Sequence, residues 1–316
     1  MNDRVRRCRR GPVVMAVLLG AAASAGPTSG QEPLSWGEMQ AALADRSAPA
    51  PAARVAYREG PHTFGELRLP PGPGPHPVVV VVHGGCWQSM AGLDYMDPFA
   101  LALNEMGWAT WSLEFRRIDQ PGGAWPGILE DVAAGADFLR ELARDYPLRL
   151  DRVVTAGHSS GGHLALWLAA RHRLPADGAG GPRLRGDDPL AVAGVVGLAP
   201  IADLRDYTRY TRCGPTIVAD FLGGVMDEDR LRLSDPASLA PTGVPQLLVL
   251  GALDPIVPPT HGAVFAAGSR EAGDAVEVAV VEDGGHFELV SPWTAPWRTV
   301  ADLLAGFLAR VPGTGP

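Results

Sequence analysis

Val153-Val154-Thr155-Ala156-Gly157-His158-Ser159-Ser160-Gly161-Gly162-His163-Leu164-Ala165-Leu166 is the stretch that indicates the fold most directly. Its β-branched start is typical of a buried strand, and the alanines and leucines after Gly162 are typical of a helix. Between them, Gly157 and Gly161 bracket Ser159, which indicates a tight turn that exposes one serine at the end of the strand. We therefore predict that Ser159 is a nucleophile, held in a strained backbone conformation above the N-terminus of the helix.

The spacing of the glycines also separates Ser159 from its neighbour Ser160. The same bracket around Ser160 would need glycine where His158 stands. Ser160 is instead predicted to supply the backbone N–H group that follows the nucleophile.

The first 25 residues read as a secretory signal peptide. Five arginines precede an apolar run at residues 13–23, and the Ala-Ser-Ala of residues 23–25 matches a small-x-small cleavage site. The run is short for a stable membrane anchor, although an uncleaved membrane helix is an alternative, and Arg9-Arg10 leaves a twin-arginine route open. We expect a secreted or periplasmic protein in which residues 26–53 form an N-terminal arm or tether.

Charge and composition exclude several classes of protein. The chain carries a formal net charge of −8, which argues against nucleic acid or anionic lipid as a partner. All 27 basic residues are arginine, so the Gly-Lys phosphate loop, the pyridoxal Schiff base and the Ser-x-x-Lys nucleophile are excluded. Beyond the predicted signal peptide only Cys86 and Cys213 remain, which is too few for a disulfide framework.

Apolar runs alternate with helical patterns over residues 54–312. Strands are predicted at 54–58, 64–69, 78–82, 108–115, 152–155, 191–198, 246–250 and 275–281, and helices at 97–106, 127–146, 259–270 and 299–310. This alternation predicts an α/β domain whose mostly parallel central sheet is covered by helices on both faces. Residues 200–243 break the alternation, and we predict that they form a small cap insertion over the strand ends.

The other catalytic candidates follow buried strands, because ligands of an open parallel sheet bind beyond the C-terminal ends of its strands. His286, which follows the last strand, is predicted to be the general base, and Asp254 the acid that orients it. Asp203 is the alternative acid, but its position favours an anchoring role in the cap. The order Ser159, Asp254, His286 is the one found in serine hydrolases with a strand-turn-helix nucleophile.

The segment His83-Gly84-Gly85-Cys86-Trp87 follows another buried strand. Its glycines allow the backbone to turn its amides inward, so the N–H groups of Gly85 and Cys86, with that of Ser160, are predicted to form an oxyanion hole. We expect His83 to brace this loop and Trp87 to bind substrate as an apolar wall. The spacing of His and Cys residues predicts no metal site.

Together these motifs resemble those of the α/β-hydrolase superfamily over about residues 54–312. Within it the chain is similar to the secreted esterase/lipase branch related to feruloyl and acetylxylan esterases (BD-FAE-like) and to kynurenine formamidase. The motifs that carry the resemblance are His83 to Gln88, Glu114-Phe115-Arg116, Gly157 to Leu164, Gly251 with Asp254 and Val257-Pro258, and Gly284-Gly285-His286. Two positions depart from the pattern: Cys86 stands where such esterases often have Gly or Tyr, and Glu114 where many have Asp.

The resemblance implies an esterase with a Ser159-His286-Asp254 catalytic triad, a nucleophile elbow and an acyl-enzyme intermediate, with no cofactor and no metal. Its substrate would be a small-molecule ester or activated amide. The aromatic residues of the cap suggest a short acyl group rather than a lipase substrate. Amide or formamide hydrolysis and serine exopeptidase activity are the alternative reactions, and a non-catalytic binding protein on a hydrolase scaffold is the alternative class. Oligomeric state stays open.

Overall fold

One eight-stranded sheet underlies the described part of the chain, which comprises residues 32–177 and 180–314 of a computed structural model. The strands are β1 (Ala53–Ala56), β2 (Phe64–Arg68), β3 (His76–Val82), β4 (Ala109–Leu113), β5 (Leu148–His158), β6 (Gly194–Leu198), β7 (Gln246–Gly251) and β8 (Val276–Val281). Their order is β1-β2-β4-β3-β5-β6-β7-β8. The pairs from β4 to β8 are parallel, and β1 and β2 add an antiparallel edge. The predicted fold class is confirmed.

Helices connect and cover these strands. They are α1 (Trp36–Ala44), α2 (Asp97–Glu105), α3 (Gly127–Asp137), α4 (Leu139–Asp145), α5 (Ser160–Ala170), α6 (Gly181–Arg185), α7 (Leu204–Tyr207), α8 (Ile217–Phe221), α9 (Glu228–Ser234), α10 (Pro259–Glu271) and α11 (Trp297–Arg310). Short 3₁₀ turns occupy Leu93–Met96, Arg171–Arg173, Pro236–Leu239 and Phe287–Val290. None of the helices in the described ranges is long and apolar enough to cross a bilayer.

Several element boundaries differ from the sequence prediction by one to three residues, and two differences are larger. The predicted helix at 127–146 is divided at Phe138, whose N–H donates to both Ala134 and Ala136 and whose ring stacks on the buried Trp111. Strand β5 starts earlier than predicted because its first residues pair with the start of β3 before a register shift.

The middle of the sheet is covered on both faces, as its composition requires. Residues 78–82 of β3 are five consecutive valines, each at most 1% exposed. Helix α5 packs against β3, β5 and β6, and all of its residues are buried, which matches a helix that is apolar all round. The turn between β5 and α5 is therefore set in the buried centre of the domain.

The segment between β6 and β7 contains the three short helices α7, α8 and α9. The aromatic residues of this segment, Tyr207, Tyr210 and Phe221, are predicted from the sequence to form an aromatic roof over the strand ends. That expectation is wrong for two of them, because Tyr207 and Phe221 are 0% exposed and turn into the core. Tyr210 is half-buried and packs on Tyr207.

Candidate active site

Ser159 lies at the turn between β5 and α5 with backbone angles φ 58° and ψ −123°. Residues other than glycine rarely adopt these backbone angles, and holding one there costs about 1–3 kcal/mol in backbone strain. The two bracketing glycines make the turn sterically possible. A Cβ atom at Gly157 would lie 2.1 Å from the carbonyl oxygen of Gly161, and one at Gly161 would lie 2.2 Å from that of Val82. Any larger residue at either position would push the helix away from the sheet.

His286 and Asp254 form a buried pair at the ends of β8 and β7. His286 Nδ1 lies 2.6 Å from Asp254 Oδ2. The other carboxylate oxygen accepts the N–H groups of Ile256 at 2.7 Å and Val257 at 2.9 Å, so the carboxylate cannot rotate freely. Because Asp254 accepts a hydrogen bond from Nδ1–H, the neutral imidazole leaves Nε2 unprotonated and able to act as a base.

Glycine permits the close approach of the two loops that carry this pair. A Cβ atom at Gly251 would lie 2.3 Å from the carbonyl oxygen of Gly285. The N–H of Leu253 donates to the carbonyl of Gly284 at 2.9 Å, which ties the loops together. The distance between Asp254 and His286 is thus set by backbone contacts as well as by their own hydrogen bond.

Ser159 and His286 line one cavity of about 150 Å³. They are 3% exposed each, and within the described ranges no hydrogen bond joins their side chains. Such contacts are often long in an unliganded site and shorten when substrate binds. The remaining lining residues are Trp36, Gly85, Cys86, Gln88, Met90, Ala91, Tyr95, His158, Arg212, Cys213, Ile256 and Phe287.

The loop after β3 carries two backbone N–H groups beside this cavity. Gly84 N–H donates to Tyr95 Oη at 2.6 Å, and Trp87 N–H donates to Ser160 Oγ at 3.2 Å. Among the described residues, the N–H groups of Gly85 and Cys86 have no acceptor, and both residues line the cavity. Ser160 is the first residue of α5, where a backbone N–H has no acceptor within the helix. Of the three residues predicted to supply oxyanion donors, Gly85 and Cys86 thus share the cavity wall with Ser159, and Ser160 follows it in the chain.

The conformation of this loop could not be read from the sequence. Gly85, Cys86 and Trp87 have φ angles of 105°, 54° and 56°, so three consecutive residues occupy the left-handed region. Only one of them is glycine. The loop needs anchors on both sides to keep Cys86 and Trp87 in this conformation.

A disulfide between Cys86 and Cys213 is one of these anchors. It joins residues 127 positions apart, with Cα atoms 5.5 Å apart, and it fastens the segment between α7 and α8 to the loop after β3. The sequence alone indicates no partner for either cysteine. The disulfide itself forms part of the cavity wall.

The ring of Trp87 is the second anchor, and the prediction that Trp87 binds substrate is wrong. Its side chain is 1% exposed and packs against His163 and Phe221, with ring centroids 5.3 and 4.9 Å away. The positive φ of Trp87 turns the indole away from the cavity and into the core.

A buried histidine links the loop of the backbone donors to the loop of the base. His158 Nε2 lies 3.0 Å from the carbonyl oxygen of His286, which can only accept, so Nε2 carries the proton. The unprotonated Nδ1 then accepts from Tyr95 Oη at 3.0 Å. Burial holds the pKa of His158 well below its usual range, which keeps this arrangement of donors and acceptors.

His83 and Glu114 brace the same region from the other side. His83 Nδ1 donates to the carbonyl of Gly84 at 2.8 Å, its ring stacks on Phe115, and burial lowers its pKa to about 3. The Glu114 carboxylate accepts the N–H groups of Leu93 and Phe115 at 3.1 and 3.2 Å. His83 is thus a neutral structural residue, and Glu114 organises two loops rather than reaching the cavity.

Asp203, the alternative acid, is engaged elsewhere. Its carboxylate accepts the N–H of Asp206 at 2.8 Å and caps α7. Asp206 in turn bonds His261 Nδ1 at 2.7 Å. These contacts hold the cap segment against α10 and leave Asp254 as the partner of His286.

The N-terminal arm contributes a wall that the sequence analysis did not foresee. Trp36, the first residue of α1, lines the cavity and contacts the rings of Tyr95 and Phe287 at centroid distances of 5.6 and 5.5 Å. Ser35 and Glu38 form a capping box at the start of this helix. The Ser-x-x-Glu spacing was the one available sequence signal, and it marks a helix start without indicating what the helix touches.

Comparison with known proteins agrees with this architecture. The family model described as BD-FAE matches residues 67–268. Esterase LipQ of Mycobacterium tuberculosis is 28% identical over 247 residues, which cover 75% of this chain and 56% of LipQ, so the chain spans only about half the length of that relative. The acetyl ester-xyloside bifunctional hydrolase of Caldicellulosiruptor lactoaceticus superposes with a TM-score of 0.67 at 17% identity, covering 82% of this chain and 96% of that one. Esterase LipW of Mycobacterium marinum gives a TM-score of 0.68 at 20% identity, with 87% of each chain covered.

Proposed function

The chain belongs to the BD-FAE family, and from this premise we propose that it is a serine esterase that hydrolyses carboxylic esters of short acyl chains. One observation carries the proposal. Ser159, on a strained turn, and His286, held by Asp254, share the wall of one small cavity with two backbone N–H groups that have no acceptor among the described residues. This is the set of groups that acyl transfer through a serine requires.

The proposed reaction proceeds in two halves. Ser159 Oγ attacks the ester carbonyl carbon while His286 Nε2 takes the hydroxyl proton, and the resulting oxyanion accepts hydrogen bonds from the loop donors and Ser160 N–H. His286 then gives that proton to the departing alkoxide, which leaves the acyl group on Ser159. A water molecule repeats the sequence, again with His286 as base, and releases the carboxylic acid.

The size of the cavity supports a short acyl group. A cavity of about 150 Å³ has room for a molecule the size of benzene. That volume accommodates a butanoyl group but not an octanoyl chain. Each methylene that finds no space forfeits about 1–3 kcal/mol of transition-state binding. Activity on nitrophenyl esters should therefore peak between acetyl and butanoyl and show no activation at a lipid interface.

The deciding experiment is the substitution Ser159→Ala, with Ser160→Ala as the matched control. Loss of the nucleophile should lower kcat for 4-nitrophenyl acetate by about 10⁵- to 10⁶-fold. Ser160→Ala removes only the hydroxyl that accepts the Trp87 N–H, so it should retain most of the activity. A fluorophosphonate probe should label wild type but not Ser159→Ala. An inactive Ser160→Ala beside an active Ser159→Ala would show that the nucleophile is misassigned, and an unlabelled wild type would favour a binding protein.

A panel of substrates distinguishes the reactions that this machinery could perform. Short acyl esters, a formyl anilide and a dipeptide anilide share the same carbonyl chemistry and differ in the leaving group. We propose the ester as the preferred substrate. Faster turnover of the formyl anilide would make the protein a formamide hydrolase, and turnover of the dipeptide anilide alone would make it an exopeptidase.

We also propose export with cleavage after Ala25. The Arg-rich start, the short apolar run and the Ala-Ser-Ala site support this, although they lie outside the described residues. The Cys86–Cys213 disulfide adds support, because such bonds persist mainly in oxidising compartments. N-terminal sequencing of exported material should give Gly26 as the first residue. An active cytosolic product that retains Met1 would contradict export.

A further inference from the structure

Arg212 differs from the rest of the cavity wall. Apart from the histidines, it is the one lining residue among those described that carries a formal charge. Its side chain is exposed, so it stands where the cavity meets solvent. The rest of the wall is mostly apolar and includes the half-buried Trp36 and Ile256 and the buried Phe287. A substrate in this cavity therefore meets apolar surface inside and a single cation at the opening.

The backbone at Arg212 is tied to the reacting groups through the adjacent disulfide. The next residue, Cys213, is bonded to Cys86, whose N–H is one of the candidate oxyanion donors. The backbone that carries the guanidinium therefore cannot drift away from the site while the disulfide is intact. This is the positioning that recognition of a substrate group needs.

Arg212 differs from the other arginines of its segment in its ion pairing. Those of the same segment between β6 and β7 each form an ion pair: Arg205 with Glu228, Arg209 with Asp206, Arg230 with Asp227, and Arg232 with Asp229. Within the described ranges, Arg212 has no carboxylate partner. In a chain of net charge −8 this leaves a guanidinium fork available to an external anion.

We infer, resting on the proposed esterase function, that Arg212 binds a carboxylate on the alcohol part of the ester. The small apolar interior suits the short acyl group, so the alcohol must extend toward the opening, where Arg212 lies. A guanidinium accepts a planar carboxylate through two parallel hydrogen bonds. The favoured substrates are then short acyl esters of hydroxy acids, above all of phenols that carry a carboxylate.

Two acetyl esters that differ in charge test this assignment. The anionic substrate is 4-acetoxybenzoate, and the neutral one is its methyl ester. Because their leaving groups differ in reactivity, the measured quantity is the ratio of their kcat/KM values in each variant. Arg212→Gln should lower the ratio of anionic to neutral substrate by about 5-fold, mostly through KM of the anion, as expected for one partly exposed charge pair. Arg212→Glu should lower it further.

Matched controls separate a specific contact from general charge. Arg205→Gln removes another exposed arginine of the same segment, one that does not line the cavity, so it should leave the ratio unchanged. Raising the ionic strength should reduce the wild-type ratio and hardly affect that of Arg212→Gln. Thermal unfolding of each variant confirms that the fold and the neighbouring disulfide are retained.

The outcomes distinguish this inference from the function on which it rests. If both esters are hydrolysed in a Ser159-dependent manner and Arg212→Gln leaves the ratio unchanged, the role of Arg212 is wrong and the esterase proposal stands. If Arg212→Gln affects only 4-nitrophenyl hydrogen succinate, whose carboxylate is on the acyl part, the alcohol-side assignment is wrong. If no ester, including 4-nitrophenyl acetate, is hydrolysed, the proposed function fails and the inference fails with it.

Discussion

Removing the disulfide between Cys86 and Cys213 should lower stability substantially. The bond closes a loop of 127 residues, for which the chain-entropy model gives about 5 kcal/mol at 25 °C. Native disulfides typically contribute 2–5 kcal/mol, so the calculated figure is an upper bound. In a domain of this size each kcal/mol corresponds to a Tm shift of about 2–4 °C, and the expected fall is on the order of 10 °C.

The same change should affect catalysis by a smaller factor. Cys86 holds a left-handed backbone conformation and carries a candidate oxyanion donor, and the disulfide restrains it on one side. On the other side, the buried Trp87 ring and its N–H bond to Ser160 remain. Since one anchor survives, we expect kcat to fall by about 10-fold rather than by the 10²–10³-fold of a missing donor.

The assay compares wild type with the double variant Cys86→Ser/Cys213→Ser, which avoids a free thiol. Thermal unfolding followed by circular dichroism gives Tm, and 4-nitrophenyl acetate hydrolysis at 25 °C gives kcat. A reductant should move wild type toward the double variant and leave the double variant unchanged. If peptide mapping shows the bond open in reduced wild type while Tm and kcat stay at their oxidised values, the reasoning is refuted.

Three further expectations follow from the site. Asp254→Asn should lower kcat by about 10⁴-fold, because the amide NH2 would face Nδ1 and select the wrong tautomer of the base. Asp203→Asn keeps a side chain that caps a helix about as well as Asp, so it should leave kcat nearly unchanged; the reverse result would transfer the acid role to Asp203. Burial lowers the pKa of His163 to about 4, so between that value and about 6.5 the unfolded chain binds a proton that the native state does not, and stability must fall as pH drops through this window. His163→Gln should flatten that fall in urea titrations at pH 4–6.5, and an unchanged slope would mean that other groups cause it. Trp36→Ala should move the preferred acyl length beyond butanoyl, while Trp36→Phe should not; an unchanged preference in the alanine variant would show that the arm does not limit the acyl group.

Sequence reasoning succeeded where local stereochemistry or sheet topology decides the outcome. Gly157 is required by its contact with Gly161 in the same strand-turn-helix unit, and Gly161 by its contact with Val82 of the neighbouring strand. The pentapeptide, set between a strand pattern and a helix pattern, therefore predicts the conformation of Ser159. The convergence of His286 and Asp254 follows from a different rule, because neighbouring parallel strands end at the same edge of the sheet. Both inferences needed no knowledge of side-chain packing.

It failed where long-range packing decides. Trp87 was assigned to the pocket from its position in the loop, but the sign of one φ angle directs its ring into the core. Trp36 lies in an arm without sheet periodicity, and only its contacts with Tyr95 and Phe287 bring it to the site. Two cysteines 127 residues apart carry no local signal of pairing.

The connection between the two functional loops depends on a single buried imidazole. Gly84 N–H donates to Tyr95 Oη, Tyr95 donates to Nδ1 of His158, and Nε2–H of His158 donates to the carbonyl of His286. A proton on Nδ1 of His158 would turn this acceptor into a donor, so it could no longer accept the hydrogen bond from Tyr95. Tyr95 Oη already accepts the Gly84 N–H, and the series of hydrogen bonds would be interrupted there. Burial, by holding the pKa of His158 well below its usual range, prevents this over the pH range in which a histidine base works. The low basicity of His158 is therefore a condition for holding the loop of the backbone donors in place relative to the base. It also explains why a second histidine, whose ring centre lies 4.4 Å from that of His286, does not act as a base itself.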